Sequence, residues 1–197
     1  MPRAGLTRDR VVAEAERIAD EVGLARLTLA ALAHRLGVRQ PSLYKHVDGL
    51  DGLRRGIAVR AKDELAGTLA RAAVGRSRGD AIAALAGAYR HWALEHPGRY
   101  AAAQRAPAPD DTEDQAASQA VVRVVTDVLA GFELRDDDAI DATRALRSAL
   151  HGFVTLEATG GFGLQADIDR SFYRLVRGLT RAFSTWADEP ELARSQA

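Results

Sequence analysis

Residues 28–47 read TLAALAHRLGVRQPSLYKHV, a pattern that predicts two short helices joined by a tight turn. Leucine and alanine recur at helical spacing after Thr28, whose side chain can cap the first helix. Gly37 ends that helix, because glycine readily adopts the left-handed conformation found after a helix C-terminus. The second helix begins near Gln40-Pro41, since proline is tolerated in a first turn, and it ends at about Val47.

The second helix has few apolar residues with which to pack inward. We therefore expect its polar side chains to point outward, namely Gln40, Ser42, Tyr44, Lys45 and His46. Such a set suits the major groove of DNA, because glutamine can pair with adenine while hydroxyl groups and lysine can bind phosphates. Spacing alone fits equally well a helical hairpin whose polar face is simply solvated.

Helices are also predicted on both sides of this pair. Before it, apolar residues at helical spacing predict a helix that Thr7 caps and Gly23 ends. After it, the same periodicity predicts helices over residues of about 52–74, 80–96, 112–131, 137–159 and 168–186. Glycine and proline lie between these segments and separate them.

These patterns predict an all-α protein with two domains. Residues 1–51 form a three-helix helix-turn-helix domain. Residues 52–197, which begin with the long helix that joins the two domains, form a helical C-terminal domain. The sequence shows neither strand-like alternation nor an internal repeat that would favour another fold.

The composition is that of an ordinary globular protein, with 47% hydrophobic and 27% charged residues. The chain has no cysteine, which excludes disulfides and thiolate metal sites. No apolar run reaches the roughly 18 residues that a membrane helix needs, and the first residues lack the apolar core of a secretory signal. We therefore expect a cytoplasmic protein that makes no contact with a membrane.

The net charge is zero, but the charge is unevenly distributed. Residues 1–60 contain 11 lysines and arginines against 7 acidic residues, so the remainder of the chain carries the opposite excess. A basic N-terminal part on a neutral chain indicates that this part meets a polyanion.

No pattern in the sequence indicates an enzyme or a cofactor. The five histidines form no pair at the i, i+4 spacing of helical metal ligands. The run Gly160-Gly161-Phe162-Gly163 lacks the strand context and the Lys-Ser/Thr of a phosphate-binding loop, so it is interpreted as a turn. No serine lies in a nucleophile elbow. The expected protein is therefore not an enzyme and carries no cofactor and no metal.

Residues 20–61 closely resemble the DNA-binding domain of TetR-family transcriptional regulators. The resemblance rests on Val22-Gly23-Leu24, Leu36-Gly37-Val38 and the run from Gln40 to Val47, which is similar to the recognition helix of that family. It implies a homodimeric regulator that binds double-stranded operator DNA, a repressor that a small-molecule effector releases from its operator.

The resemblance also implies roles for individual residues. The predicted DNA contacts are Thr28, Arg39, Gln40, Pro41, Ser42, Tyr44, Lys45 and His46. Two positions depart from the family pattern. Ala30 stands where tetracycline-type repressors have a base-reading arginine, and Leu50 stands where the family usually has a phosphate-binding lysine. The second departure predicts a weaker backbone anchor, which Arg54 or Arg55 could offset.

Two later segments, His91–Tyr100 and Leu150–Phe153, partly resemble the WHG-type ligand domain of the same family, although Leu150 replaces the tryptophan of that motif. The candidate ligand-binding residues are Tyr89, Trp92, Tyr100, Phe132, His151, Phe153 and Tyr173. The resemblance implies that the last two helices form a four-helix dimer interface. The candidate interface residues are Ile168, Phe172, Leu175, Leu179 and Phe183.

One alternative stays open at this stage. The chain could be a helical ligand-binding or protein-interaction module that has lost DNA binding. Leu50 and the modest basic excess favour it.

Overall fold

The computed structural model describes residues 5–186, and this part of the chain is helical without any strand. The predicted all-α fold is therefore confirmed. The α-helices are α1 (Arg8–Val22), α2 (Leu29–Leu36), α3 (Gly49–Ala73), α4 (Arg78–Glu95), α5 (Pro97–Ala103), α6 (Thr112–Leu129), α7 (Asp136–Ala158) and α8 (Ile168–Thr185). Short 3₁₀-helices cover Leu24–Arg26, Gln40–Lys45 and Ala130–Phe132. No helix within residues 5–186 combines the length and the apolar character needed to cross a membrane.

Local capping chemistry sets the ends of the first two helices, as predicted. The Thr7 side chain accepts the Arg10 backbone N–H at 3.2 Å, and the Thr28 side chain accepts the Ala31 N–H at 3.1 Å. Gly37 follows α2 with φ +66°, the left-handed conformation that favours glycine.

Two boundaries differ from the prediction. The long helix α3 begins at Gly49 rather than near residue 52, because Gly49, Leu50 and Asp51 form its first turn. Pro97 does end α4, but it also starts the seven-residue helix α5, which the sequence pattern did not indicate. Proline fits a first helical turn because its missing N–H would have no partner there.

The described residues form two compact units. The first comprises the chain up to Thr68 together with His91–Val121, and the second comprises Leu69–Arg90 and the chain from Val122 onward. Three helices, α3, α4 and α6, contribute residues to both units. The predicted division after residue 51 remains a prediction about function.

The first unit is built around the helix-turn-helix. Its core contains fully buried apolar side chains from α1, α2, the Gln40–Lys45 helix and α3, including Val11, Leu32, Leu43, Leu53 and Ile57. These side chains hold the helix-turn-helix against the start of α3.

Helix α5 packs very closely against the end of α1. A Cβ atom on Gly98 would lie 2.1 Å from the carbonyl carbon of Ala19, so only glycine allows this approach. The next residue, Arg99, donates its backbone N–H at 2.9 Å and its Nε–H at 2.7 Å to the Asp20 carboxylate. A second guanidinium nitrogen of Arg99 donates to Glu64 of α3 at 2.7 Å. The residues that follow Pro97 therefore clamp α1 and α3 together.

The second unit has its own apolar core. The largest fully buried side chains there are Leu69, Ile82, Leu85, Leu129, Leu146, Leu150 and Phe183. Phe132 packs edge-on against Phe183 with ring centroids 6.0 Å apart. This core joins α4, α7 and α8 around the end of α6.

Candidate nucleic-acid interface

The segment Gln40–Lys45, the reading helix, is a single short 3₁₀-helix. It begins after Arg39, whose carbonyl oxygen accepts the Ser42 backbone N–H at 2.9 Å. The buried side chain of the helix is Leu43, which is fully enclosed in the core of the first unit. A 3₁₀-helix has three residues per turn, so side chains three positions apart lie in line. Leu43 therefore fixes one inner ridge and leaves two ridges that face outward.

The two outer ridges carry different chemistry. Arg39, Ser42 and Lys45 lie along one ridge and can bind phosphates or base edges. Pro41 and Tyr44 lie along the other. Tyr44 is 56% exposed, which is unusual for a large aromatic side chain and leaves both its ring and its hydroxyl accessible.

The expected outward orientation is confirmed for three of the five polar side chains. Gln40, Tyr44 and Lys45 are exposed, whereas Ser42 and His46 are half-buried. Gln40 and His46 both lie in line with Leu43, but Gln40, the first residue of the helix, stays exposed, whereas His46 is half-buried.

Thr28 and Ala30 lie at the exposed start of α2. The Thr28 hydroxyl oxygen is the acceptor of the helix cap, so its hydrogen can still be donated to a phosphate. Ala30 presents only a methyl group, so base recognition by this side chain is limited to apolar contact such as that with a thymine methyl group.

Several cations of the first unit are neutralised within that unit. Arg35 donates to Glu14 at 3.1 Å and to Glu21 at 2.7 Å, and these hydrogen bonds raise the pKa of its guanidinium. Ion pairs of the same kind join Arg55 to Asp111, Arg60 to Glu16, Lys62 to Asp114 and Arg99 to Asp20. By contrast, Arg39 and Lys45 are exposed and take part in no ion pair within residues 5–186. The reading helix thus keeps its positive charge available.

The position of Leu50 explains one departure from the family pattern. Leu50 is half-buried and packs against the core of the helix-turn-helix. The suggestion that Arg55 offsets the missing lysine is wrong, because Arg55 is bound by Asp111 at 2.5 Å and Glu113 at 2.9 Å. The Arg55 guanidinium lowers the pKa of Asp111 to about 2. Arg54 is 4.0 Å from Asp51 and stays a candidate.

The predicted ligand residues do not share one environment. Trp92 and Tyr100 are buried side chains of the first unit, whereas Tyr89, Phe132, His151, Phe153 and Tyr173 belong to the second. Within the second unit, Phe153 lines a cavity of about 270 Å³. Tyr173 lies outside that lining: its ring is 58% exposed, with the Arg177 guanidinium 5.4 Å from its centre, and its role stays a prediction.

The residues predicted to form the dimer interface also fall into two groups, which differ in burial. Ile168, Leu175 and Leu179 are half-buried on α8 and can still meet another subunit. Phe172 and Phe183 are 7% and 1% exposed because they are enclosed by their own chain. Assigning these two rings to contacts between subunits is therefore corrected, since they form part of the core of the second unit.

Two structural roles escaped the sequence analysis. Gly98 and Arg99 hold α5 against α1, although their segment was interpreted only as part of a ligand domain. The signal was a glycine directly after a helix-starting proline, where a better helix former would be expected unless space were limiting. The turn at Gly160–Gly163 lines the cavity beside Phe153, a role that its spacing did not indicate.

Comparison with known proteins agrees with this architecture. A family model described as "Tetracyclin repressor-like, C-terminal domain" matches residues 82–179. An uncharacterized HTH-type transcriptional regulator of Mycobacterium tuberculosis is 44% identical over 183 residues, which cover 90% of this chain and 84% of that protein. A second uncharacterized HTH-type transcriptional regulator, from Bacillus subtilis, is 39% identical over 178 residues and is covered over 92% of its length.

Solved structures show the same fold. A protein of unknown function from Rhodococcus sp. RHA1 has 28% identity and a TM-score of 0.74, with 92% of this chain and 97% of that chain covered. A TetR variant from Acinetobacter baumannii, in complex with minocycline, has 22% identity and a TM-score of 0.70, with 92% of this chain and 98% of that chain covered. At 22% identity, the similarity to the Acinetobacter baumannii protein shows the fold alone.

Proposed function

The chain belongs to the TetR family of helix-turn-helix transcriptional regulators, and on this premise we propose that it is a repressor released from its operator by a small molecule. Members of this family regulate transcription rather than catalyse reactions. In the proposal, residues 1–51 supply the DNA-binding surface, and residues 52–197 supply the effector site and the dimer interface.

The observation that carries the proposal is the available charge on the reading helix. Leu43 anchors this helix in the core, while Arg39 and Lys45 stay exposed and outside the ion pairs of the described residues. Lys45 and Arg39 bind phosphates, and Gln40 reads a base edge in the major groove. Tyr44, Ser42, His46, Pro41 and Thr28 complete the contact surface.

Two subunits are needed for tight binding. A single 3₁₀-helix of six residues reaches only a few base pairs. A symmetric dimer places two reading helices roughly 34 Å apart, one turn of B-DNA, and so reads a pseudo-palindrome. We assign Ile168, Leu175 and Leu179 of α8 to the contact with the second subunit.

Effector release needs a link between the two units. Helices α3, α4 and α6 belong in part to each unit, so they are the covalent route by which a bound effector biases the reading helix. A coupling of about 1–3 kcal/mol is typical, and it is reciprocal, so operator DNA must weaken effector binding by the same factor.

The direct test is fluorescence anisotropy of the full chain with the DNA upstream of its own gene, measured over a salt series. A repressor binds a specific site with an affinity that falls steeply with salt, because phosphate contacts release counterions. Absence of a specific complex, even at the lowest salt concentration, would support the alternative, a helical module that has lost DNA binding.

A further inference from the structure

The second unit contains a cavity of about 270 Å³ where α7 ends and α8 begins. Its lining includes Phe153 of α7, Phe162, Leu164 and Ala166 of the connecting turn, and Ile168 and Ser171 of α8. Most of this lining is apolar. Leu164 is 89% exposed at this site, and together with the half-buried Phe162 and Ile168 it leaves a group of apolar side chains open to a ligand.

Aromatic rings form one wall of the cavity. The ring of Phe153 lies 4.8 Å from that of Phe162 at an angle of 49°, and 5.0 Å from that of Phe172 at an angle of 62°. Phe172 is buried, whereas Phe153 and Phe162 are half-buried. A further aromatic ring can therefore pack against Phe153 and Phe162 without displacing the core.

The guanidinium beside these rings is already paired with carboxylates of the same chain. The Arg90 guanidinium lies 4.9 Å from the Phe172 ring centre and is bound by two carboxylates, Glu157 at 2.5 Å and Asp169 at 2.7 Å. The Ser171 hydroxyl donates to the Asp167 carbonyl oxygen at 3.0 Å. The cavity lining itself carries no charged side chain, so an anionic ligand would find no cation there, and it would find the Ser171 hydrogen already donated.

We propose that this cavity is the effector site and that it takes an uncharged, flat aromatic molecule of two small rings. Ligand cavities usually measure about 300–1,000 Å³, and this one, at about 270 Å³, lies just below that range, so it accepts only a small ligand. The effector role of this site rests on the proposed function. The binding site itself stands on the geometry of the cavity.

The partner subunit has to be excluded as the occupant of this cavity. Ile168 belongs both to the cavity lining and to the proposed dimer interface. If the partner subunit filled the cavity, the dimer would leave no room for a ligand. The test must therefore be made on the full chain at concentrations where it is a dimer.

The experiment uses the fluorescent probe 2-naphthol, which is uncharged, and its sulfonated relative 2-naphthol-6-sulfonate, which has the same two fused rings and a negative charge. Titration of the full chain without DNA should show one saturable site per chain for the uncharged probe. The anionic probe should bind at least about tenfold more weakly, because the lining offers no cation to replace the water lost from its sulfonate.

Three variants locate the site. Phe162→Ala removes one wall and Ala166→Trp fills the cavity, so each should weaken the uncharged probe by about tenfold or more. Trp186→Ala is the matched control, because this tryptophan lies in the same unit but packs against Phe183 rather than lining the cavity. It should change binding by less than about twofold. Thermal unfolding of each variant confirms that it is folded.

The readouts separate the two claims. Operator binding without any probe tests the proposed repressor, and probe binding without DNA tests the cavity. Absence of saturable binding to the dimer, equal binding of the two probes, or an equal effect of Trp186→Ala would overturn the site. If the uncharged probe binds but leaves operator affinity unchanged, the effector role is overturned.

Discussion

Replacing Lys45 by alanine should flatten the salt dependence of operator binding. Each subunit presents two cations on its reading helix, Arg39 and Lys45, that stay outside the ion pairs of residues 5–186. In a dimer these four charges contribute a slope of about −3.6 to the plot of log K against log salt, at about −0.9 per phosphate. Lys45→Ala removes two of them, and therefore about half of that contribution.

The assay is anisotropy of labelled operator DNA between 50 and 200 mM salt. Over this fourfold range, the advantage of the wild-type protein over Lys45→Ala should shrink by about tenfold. The control is Arg35→Ala, which removes the same net charge from the same unit. Because Arg35 is held by Glu14 and Glu21 rather than by DNA, its removal should leave the slope nearly unchanged. Equal slopes for the two variants would refute the assignment of Lys45 to a phosphate.

Three further outcomes follow from contacts within the chain. Gly98→Ala should lower the free energy of unfolding in urea by about 3 kcal/mol. The new Cβ atom would push α5 away from α1 and stretch the hydrogen bonds between Arg99 and Asp20. The control is Gly87→Ala, which should not lower the free energy of unfolding, because no atom lies within 4 Å of the added Cβ. The Arg55–Asp111 pair lowers the pKa of Asp111 from 3.8 to about 2, so its stabilisation is complete above the ordinary pKa and is lost as the pH falls toward 2. Urea unfolding between pH 6 and 2 should show this loss, and Asp111→Asn should lack it. Leu175→Asp should halve the mass in solution, whereas Val74→Asp, at a 73% exposed site, should not; an unchanged mass for Leu175→Asp would reject α8 as the interface.

Features fixed by neighbouring residues could be predicted from the sequence. Thr7, Thr28 and Gly37 act within one helical turn of their own positions, so their caps follow from local chemistry alone. The exposure of Tyr44 follows from the inward position of Leu43 and the short helix between the two turns.

Features that depend on distant partners could not be predicted. Helix α5 was missed because Pro97 resembles a stop, and the need for Gly98 arises from Ala19, which is far away in the sequence. Arg55 could not be recognised as unavailable to DNA until Asp111 was found beside it. Periodicity placed Phe172 and Phe183 on the apolar face of α8, but it could not say whether that face meets its own chain or a second one.

The most direct test of the account asks whether the reading helix touches DNA. Tyr44 is replaced by the photocrosslinker benzoylphenylalanine, and the matched variant carries the same group at Tyr173, which is similarly exposed at 58%. On irradiation with operator DNA, the group at position 44 should crosslink to two half-sites one helical turn apart, and the group at position 173 should not. Crosslinking from position 173 but not from position 44 would contradict the central claim.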